Sequence, residues 1–308
     1  MRTKSLDAYC GVIVPMINPF DSSGCIDISA AERLMDYLSD NGTIPFILGT
    51  TGEAASIPLN GREKLVRVMV EKRKEGVPVT CGVIGLNVQE TIVQANRYFE
   101  FGADAVVITP PCSYQLSDKQ MLKYYETFSD NLNGNIILYN IPKTVHQSIH
   151  LEIADSLSRR SNIIGIKDSE VNPDRLRESL SLWKNRDDFF HFTGTNFLML
   201  EGLLNGSKGI VPSTANFIPD VYSELYTLCL ENNREKAEEV FQITVEWGKL
   251  YQDGKTLGES LACLKVIMSE LGLCQPFVLP PLTEPDQEEI SRISSKVRTE
   301  LAEKVQNS

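Results

Sequence analysis

Short β-branched apolar runs alternate with amphipathic stretches along most of the chain. The runs fall at residues 11–17, 45–48, 79–84, 105–108, 136–139, 163–166, 189–192 and 209–211. Each is almost continuously apolar, the pattern of a strand buried on both faces of a parallel sheet. The stretches between them repeat apolar residues every three or four positions, and their ends carry helix signals. Asn60 with Glu63 reads as a capping-box start ahead of Leu65, Val66 and Met69, with Gly76 as the stop. Asn87 with Glu90 and Ser117 with Gln120 repeat that start, and Asn172-Pro173 supplies a cap followed by proline at the first helical position. Eight strands, each followed by a helix, predict an α/β protein built as a (β/α)8 TIM barrel. An open doubly wound sheet is the weaker reading, because no G-x-G-x-x-G follows the first run. From about residue 231 the strand signal stops. Helical patterns at 233–251, 257–271 and 284–306, the last two separated by a proline-fixed segment at 276–281, predict a C-terminal helical extension. The expected division is a barrel at 1–230 carrying the active site and an extension at 231–308.

Composition narrows the function. The 308 residues include 30 Lys and Arg against 41 Asp and Glu, a net charge of −11. No basic cluster is present that would neutralise a run of phosphates, so neither nucleic acid nor an anionic membrane surface is an expected partner. No apolar run approaches the roughly 18–20 residues that cross a bilayer, and the run at 11–17 ends in Asn18-Pro19 rather than continuing as a secretory signal. Seven scattered cysteines without a C-x-x-C pair read as reduced thiols in a cytoplasmic protein. Three histidines make a zinc site unexpected. Cys112 lacks the histidine partner that a thiol nucleophile needs.

In a barrel of this type the chemistry sits where strands end and βα loops begin. On the sixth strand, alternation places Ile163, Gly165 and Lys167 on one face. If that face is inward, Lys167 enters the barrel mouth above Gly165, which leaves it room. A buried neutral amine is a nucleophile able to form a Schiff base with a ketone. The same spacing also fits a surface lysine at the start of a loop. On the neighbouring fifth strand Tyr139 is placed to move protons for that amine, or to cap the core with its hydroxyl satisfied locally. Gly49-Thr50-Thr51-Gly52 reads as a turn whose N–H groups can converge on an anion, or as a plain tight turn, with Glu53 hydrogen-bonded within the loop.

GTTGE at 49–53, YNIP at 139–142, GIKDS at 165–169 and GIVPSTAN at 209–216, in this order, resemble the family of dihydrodipicolinate synthase and N-acetylneuraminate lyase. The resemblance runs from about Tyr9 to the C-terminal helices. It implies a barrel with a helical extension, a homotetramer, and a metal-free class I enzyme that binds pyruvate or another 2-oxo acid as an imine without a cofactor. By position it implies Lys167 as the Schiff-base lysine and Tyr139 as the proton-transferring phenol. It implies Thr50 and Thr51 as the carboxylate site, with Val211 against the same ligand. Two departures bear on the substrate. Synthases of the family carry an arginine two residues after the YN-x-P proline, where this chain has Thr144, preceded by Lys143 and followed by Val145 and His146. The family's tyrosine pair after Thr-Pro-Pro is Cys112-Ser113 here, so Tyr114 replaces it only after a one-residue shift. The expected activity is therefore a lyase or aldolase joining or splitting a 2-oxo acid and an aldehyde, sugar-derived aldehydes included. Thr193, Thr195, Asn196, Ser213 and Thr214 are the candidates for hydrogen-bonding its hydroxyls. The alternatives are dihydrodipicolinate synthase itself, condensing pyruvate with aspartate semialdehyde, and a non-catalytic barrel that binds 2-oxo acids. A phosphate-sugar isomerase barrel leaves Lys167 and Tyr139 unexplained.

Overall fold

The computed structural model describes residues 5–301. Eight parallel strands pair in chain order and the last pairs back onto the first, closing a barrel. They are β1 (Gly11–Pro15), β2 (Ile44–Ile47), β3 (Thr80–Val83), β4 (Ala105–Ile108), β5 (Asn135–Asn140), β6 (Ile163–Asp168), β7 (Phe190–Thr193) and β8 (Gly209–Ile210). Outside them run α1 (Ile28–Asp40), α2 (Leu59–Lys72), α3 (Val88–Phe101), α4 (Asp118–Asn131), the single turn α5 (Pro142–Val145), α6 (Leu151–Leu157), α7 (Pro173–Trp183), α8 (Met199–Leu204) and α9 (Pro219–Leu230). Three helices follow: α10 (Arg234–Gln252), α11 (Leu257–Glu270) and α12 (Gln287–Glu300). The expected last helix extends to residue 306, and its positions 302–306 lie outside the described residues. No helix among the described residues is long and apolar enough to cross a membrane.

Each strand is buried on both faces because two apolar layers sandwich it. Val14, Ile47, Val106, Leu138 and Ile166 pack outward under the helices, while Phe46, Val107, Ile137, Phe190 and Phe192 fill the barrel. This is why the strand runs in the sequence lack alternation. The helix starts follow their caps where the cap side chain is free to turn inward. The Asn87 side chain accepts from the N–H groups of Gln89 and Glu90, Ser117 and Gln120 form a capping box, and Asn172 accepts from Asp174 and Arg175. Helix α2 departs from expectation. It begins after Pro58, whose ring presets the extended entry, so Asn60–Glu63 lies in its first turns and Gly76 falls beyond its end at Lys72.

A second departure concerns β6. The β5–β6 pairing slips between Ile136 and Ile137, so Ile136 lies opposite Ile163 but Ile137 lies opposite Gly165. The extra residue is a bulge. It turns Ile163 into the outer layer and Ile164 into the barrel interior, leaving only Gly165 and Lys167 on the face expected for all three. Nor is the space above Gly165 kept for Lys167, since a Cβ at 165 would stand 2.5 Å from the Phe190 carbonyl oxygen and 2.9 Å from the Phe192 ring. Gly194, just after β7, is the glycine that approaches Lys167: an added Cβ there would collide with the Ser169 hydroxyl and stand 3.1 Å from the Asp168 carbonyl oxygen and 3.3 Å from Lys167 Cε.

The exit from β2 is set by backbone geometry. Leu48 adopts a left-handed φ of 56°, uncommon for a branched side chain, and redirects the chain into the 49–53 turn. Its carbonyl then presses on β3 at Gly82, where any Cβ would collide with the Leu48 oxygen. Gly82→Ala should therefore destabilise the protein by at least the upper end of the ~1–3 kcal/mol typical of overpacking. Urea unfolding measures it, and a variant of unchanged midpoint would remove Gly82 as the residue that admits this turn.

Candidate active site

At the C-terminal mouth of the barrel lies a cavity of about 230 Å³ whose wall includes Thr50, Thr51, Tyr139, Lys143, Thr144, Lys167 and Val211. The sequence candidates are thus brought together from β2, β5, β6 and β8. Tyr139 and Lys167 are direct partners in the β5–β6 register, and each is 6% exposed. The Lys167 amine stands over the face of the Tyr139 ring, 3.9 Å from its centroid, and 5.0 Å from that of Phe46 below. The contact is amine to ring face, and Tyr139 belongs to the cavity wall.

The next pair in register, Asn140 and Asp168, explains why this alignment is fixed. Asn140 Nδ2 donates to Asp168 Oδ1 at 2.9 Å, and Arg175 Nε donates to Asp168 Oδ2 at 2.7 Å. Asn140 Oδ1 accepts from the Ile149 N–H, and Arg175 reaches the Ile149 carbonyl. Glu170 accepts from Ser148 and Asn140. Burial opposes its ionisation, but those hydrogen bonds and Arg175 hold its carboxyl below the ordinary value.

The Thr50-Thr51 turn is closed by N–H groups that follow it. Gly52 and Ala54 donate to the Gly49 carbonyl and Glu53 to the Thr50 carbonyl. The N–H groups of Thr50 and Thr51 stay outside this ladder, and both side chains are half-buried at the cavity wall. Gly52 is required by contact, since a Cβ there would stand 2.8 Å from both the Asn18 amide and the Met16 carbonyl oxygen. Val211 is buried, and its own N–H already donates to the Thr193 carbonyl, so it offers the cavity its side chain. Thr144 turns its hydroxyl back to the Ile141 carbonyl at 3.3 Å, while Lys143 is exposed beside it. Tyr114 is 74% exposed and outside the cavity wall, with its carbonyl held by Gln147. His146 is exposed at the left-handed end of α5. Among the described residues, no group of three or more His, Cys, Asp or Glu side chains is placed to hold a metal ion.

The expected hydroxyl contacts are largely spoken for. Thr193 Oγ1 donates to Ser207, Asn196 Oδ1 accepts from Tyr222, and Ser213 and Thr214 both bond the Tyr251 hydroxyl. Tyr251 and Gln252 come from α10, so the extension completes one wall of the site, a contribution no strand-end motif announces.

Glu53 is structural, but its partners are outside the loop. It forms an ion pair with Lys265 of α11 at 3.0 Å and accepts from the Leu279 N–H at 2.8 Å. Lys265 also donates to the carbonyls of Asn18 and Phe277. Both side chains are 1% exposed, and burial pushes the Lys265 ammonium below its ordinary pKa against the pull of Glu53. Glu53→Gln strands that ammonium and should cost about 3–5 kcal/mol. Combining it with Lys265→Met should cost less than the sum of the single changes by about 1 kcal/mol or more, read by urea unfolding. Additive losses would show that the pair is uncoupled.

The model of the dihydrodipicolinate synthetase family matches residues 8–300. An uncharacterized DapA-like lyase of Pyrococcus horikoshii is 30% identical over 292 residues, 93% of this chain and 99% of that protein. A 4-hydroxy-tetrahydrodipicolinate synthase of Alkaliphilus oremlandii is 30% identical over 75% of this chain and 79% of its own length. Among solved structures, a prophage protein of the dihydrodipicolinic acid synthase family from E. coli K12, in complex with pyruvate, superposes with a TM-score of 0.88. That match is 25% identical and covers 94% of this chain and 98% of the other.

Proposed function

The chain belongs to the dihydrodipicolinate synthetase family and is a lyase, and from that premise we propose that Lys167 forms an imine with pyruvate or a related 2-oxo acid. The observation that carries the proposal is the buried Lys167 amine against Tyr139, in a cavity shared with the Thr50-Thr51 turn. The amine attacks C2, the Tyr139 hydroxyl passes a proton to the departing carbinolamine oxygen, and water leaves. The free N–H groups of Thr50 and Thr51 and their hydroxyls hold the carboxylate. The protonated imine then draws the electron pair released when C3 loses a proton or a C–C bond breaks. The resulting enamine adds through C3 to an aldehyde carbon, whose oxygen takes up a proton, and hydrolysis frees Lys167. The reverse sequence cleaves the same bond. The imine supplies the electron sink, and no metal enters the proposed steps. We read residues 1–230 as the part carrying this chemistry, 231–308 as an extension that walls it, and the working form as a homotetramer in the cytoplasm.

Borohydride in the presence of pyruvate should inactivate the enzyme and leave a single reduced adduct on Lys167, found by peptide mapping. An adduct elsewhere, or none with any 2-oxo acid, would sink the mechanism. Tyr139→Phe should lower turnover by about 10²–10⁴-fold with the fold intact. Turnover close to that of the parent would leave Tyr139 a packing residue.

A second reading, condensation of pyruvate with aspartate semialdehyde, draws on Lys143, an exposed cation in the cavity wall beside Thr144. The aldolase reading expects poor use of the semialdehyde, because one charge-assisted contact is worth about 10–100-fold. Efficient condensation that falls by that factor in Lys143→Gln would favour the synthase.

A further inference from the structure

On the N-terminal face of the barrel, away from the cavity of Lys167, lies a separate cavity of about 440 Å³. It sits between the ends of α7 and α8, where the chain enters β7 and β8. That face of a (β/α)8 barrel ordinarily serves stability, so an unfilled space bordered by an unpartnered polar group calls for an account. Trp183, Phe189 and Leu204 give the space apolar walls. The Trp183 and Phe189 rings meet edge to face with 4.7 Å between centroids. The indole N–H is spent on Asp155 Oδ1, so Trp183 has no donor left for the cavity.

His191 belongs to the same wall and is 3% exposed. Its Nδ1 stands 3.3 Å from the Ser207 hydroxyl, and its Nε2 has no partner. The single Ser207 proton goes to a carbonyl, that of His191 at 3.0 Å or that of Gly209 at 2.9 Å, and Thr193 donates to the Ser207 oxygen. Nδ1 must therefore donate to Ser207, which leaves Nε2 a bare acceptor. Burial lowers the imidazole pKa to about 4, so the ring stays neutral at pH 7. A buried acceptor without a donor is a cost that an incoming O–H removes. The other space that His191 borders, beside Asp168 and Arg175, measures about 10 Å³ and has room for one water at most.

Charge sets the sign of the occupant. Lys184 and Lys208 are exposed at the 440 Å³ cavity, and among the described residues neither is ion-paired and no carboxylate lines the space. In a chain of net charge −11 such a place favours an anion.

We propose that this cavity binds a phenolic carboxylate, its ring among Trp183, Phe189 and Leu204, its hydroxyl donating to His191 Nε2 and its carboxylate at Lys184 and Lys208. The site is apart from the cavity of Lys167 and does not rest on the imine reading.

Isothermal titration calorimetry with 4-hydroxyphenylacetate tests the assignment, with and without saturating pyruvate. Saturable binding is expected in both conditions. It should be about tenfold tighter than that of phenylacetate, which lacks the donor, and of 4-hydroxybenzyl alcohol, which lacks the charge. His191→Phe should abolish the preference over phenylacetate. Should that buried substitution fail to fold, Lys184→Gln combined with Lys208→Gln changes only exposed side chains. The double variant should weaken 4-hydroxyphenylacetate about tenfold while leaving 4-hydroxybenzyl alcohol and the urea midpoint unchanged. Absence of saturable binding at millimolar concentration overturns the assignment, as does binding indifferent to the hydroxyl or to the double variant. Binding lost when pyruvate is added would put 4-hydroxyphenylacetate in the cavity of Lys167 and overturn it equally.

Discussion

The hydrogen bond between Asn140 and Asp168 fixes the alignment on which the proposed reaction centre depends. In a parallel pair a slip of one residue turns every side chain to the opposite face, so the amine and the phenol meet only in one register. Here the register is secured next to the reactive pair, where Arg175, Glu170 and the Ile149 backbone converge on Asn140 and Asp168. The bulge at the start of β6 makes such a clamp necessary. It breaks the alternation below Gly165, so the position of Lys167 is not inherited from the whole strand and has to be held at its upper end.

A comparable division of labour governs the Thr50-Thr51 turn. Its floor is shaped by contacts that exclude side chains, with Gly52 against Asn18 and Gly82 against the Leu48 carbonyl. Its far end is tethered through Glu53 to Lys265 and the Leu279 N–H. A buried ion pair adds little net stability relative to a well-packed apolar pair, because desolvation consumes most of the Coulomb gain. What it contributes here is placement. The ammonium also binds the Asn18 carbonyl, and Asn18 bonds Gly52, so the extension, the β1 exit and the turn are fixed to one another. The helices after residue 231 are therefore part of the site's framework, as Gln252 and Leu257 are part of its wall.

The barrel was legible in the sequence because burying both faces of a strand demands continuous apolar runs, and burying one face of a helix demands the three-four spacing between them. Lys167, Tyr139, Thr50 and Thr51 stood out as polar residues at strand ends, but that pattern equally fitted a surface lysine and a plain turn, and only the resemblance of their motifs singled them out as site candidates. Their shared cavity follows from strand order alone. What the pattern concealed is whatever depends on one extra residue or on distant partners. The bulge moved Ile163 off the expected face, and the glycine whose added Cβ would approach Lys167 is Gly194 after the next strand, rather than Gly165 on its own. Helix α2 began at its proline instead of at the capping-box lookalike. Lys265, more than 200 residues from Glu53, carried no local signal beyond a lysine within an apolar helix. That mismatch between residue type and surroundings was the available clue.

The same geometry shows how a chain of net charge −11 keeps its carboxylates away from the cavity proposed to bind an anion. Among the described residues no carboxylate lines the candidate cavity, whose amine-bearing side chains are Lys143 and Lys167. The acidic groups nearest the strand ends are turned away and matched, Glu53 with Lys265 and Asp168 and Glu170 with Arg175. Each pairing removes a negative charge from the vicinity of the carboxylate site while using it to fix the backbone that presents Thr50, Thr51 or Lys167. Lys143 is then the exposed cation at this wall, whatever the sign of the exterior. Turning the acids outward thus performs two tasks with one arrangement: it aligns the strands, and it keeps carboxylates off the wall of the cavity proposed for a 2-oxo acid.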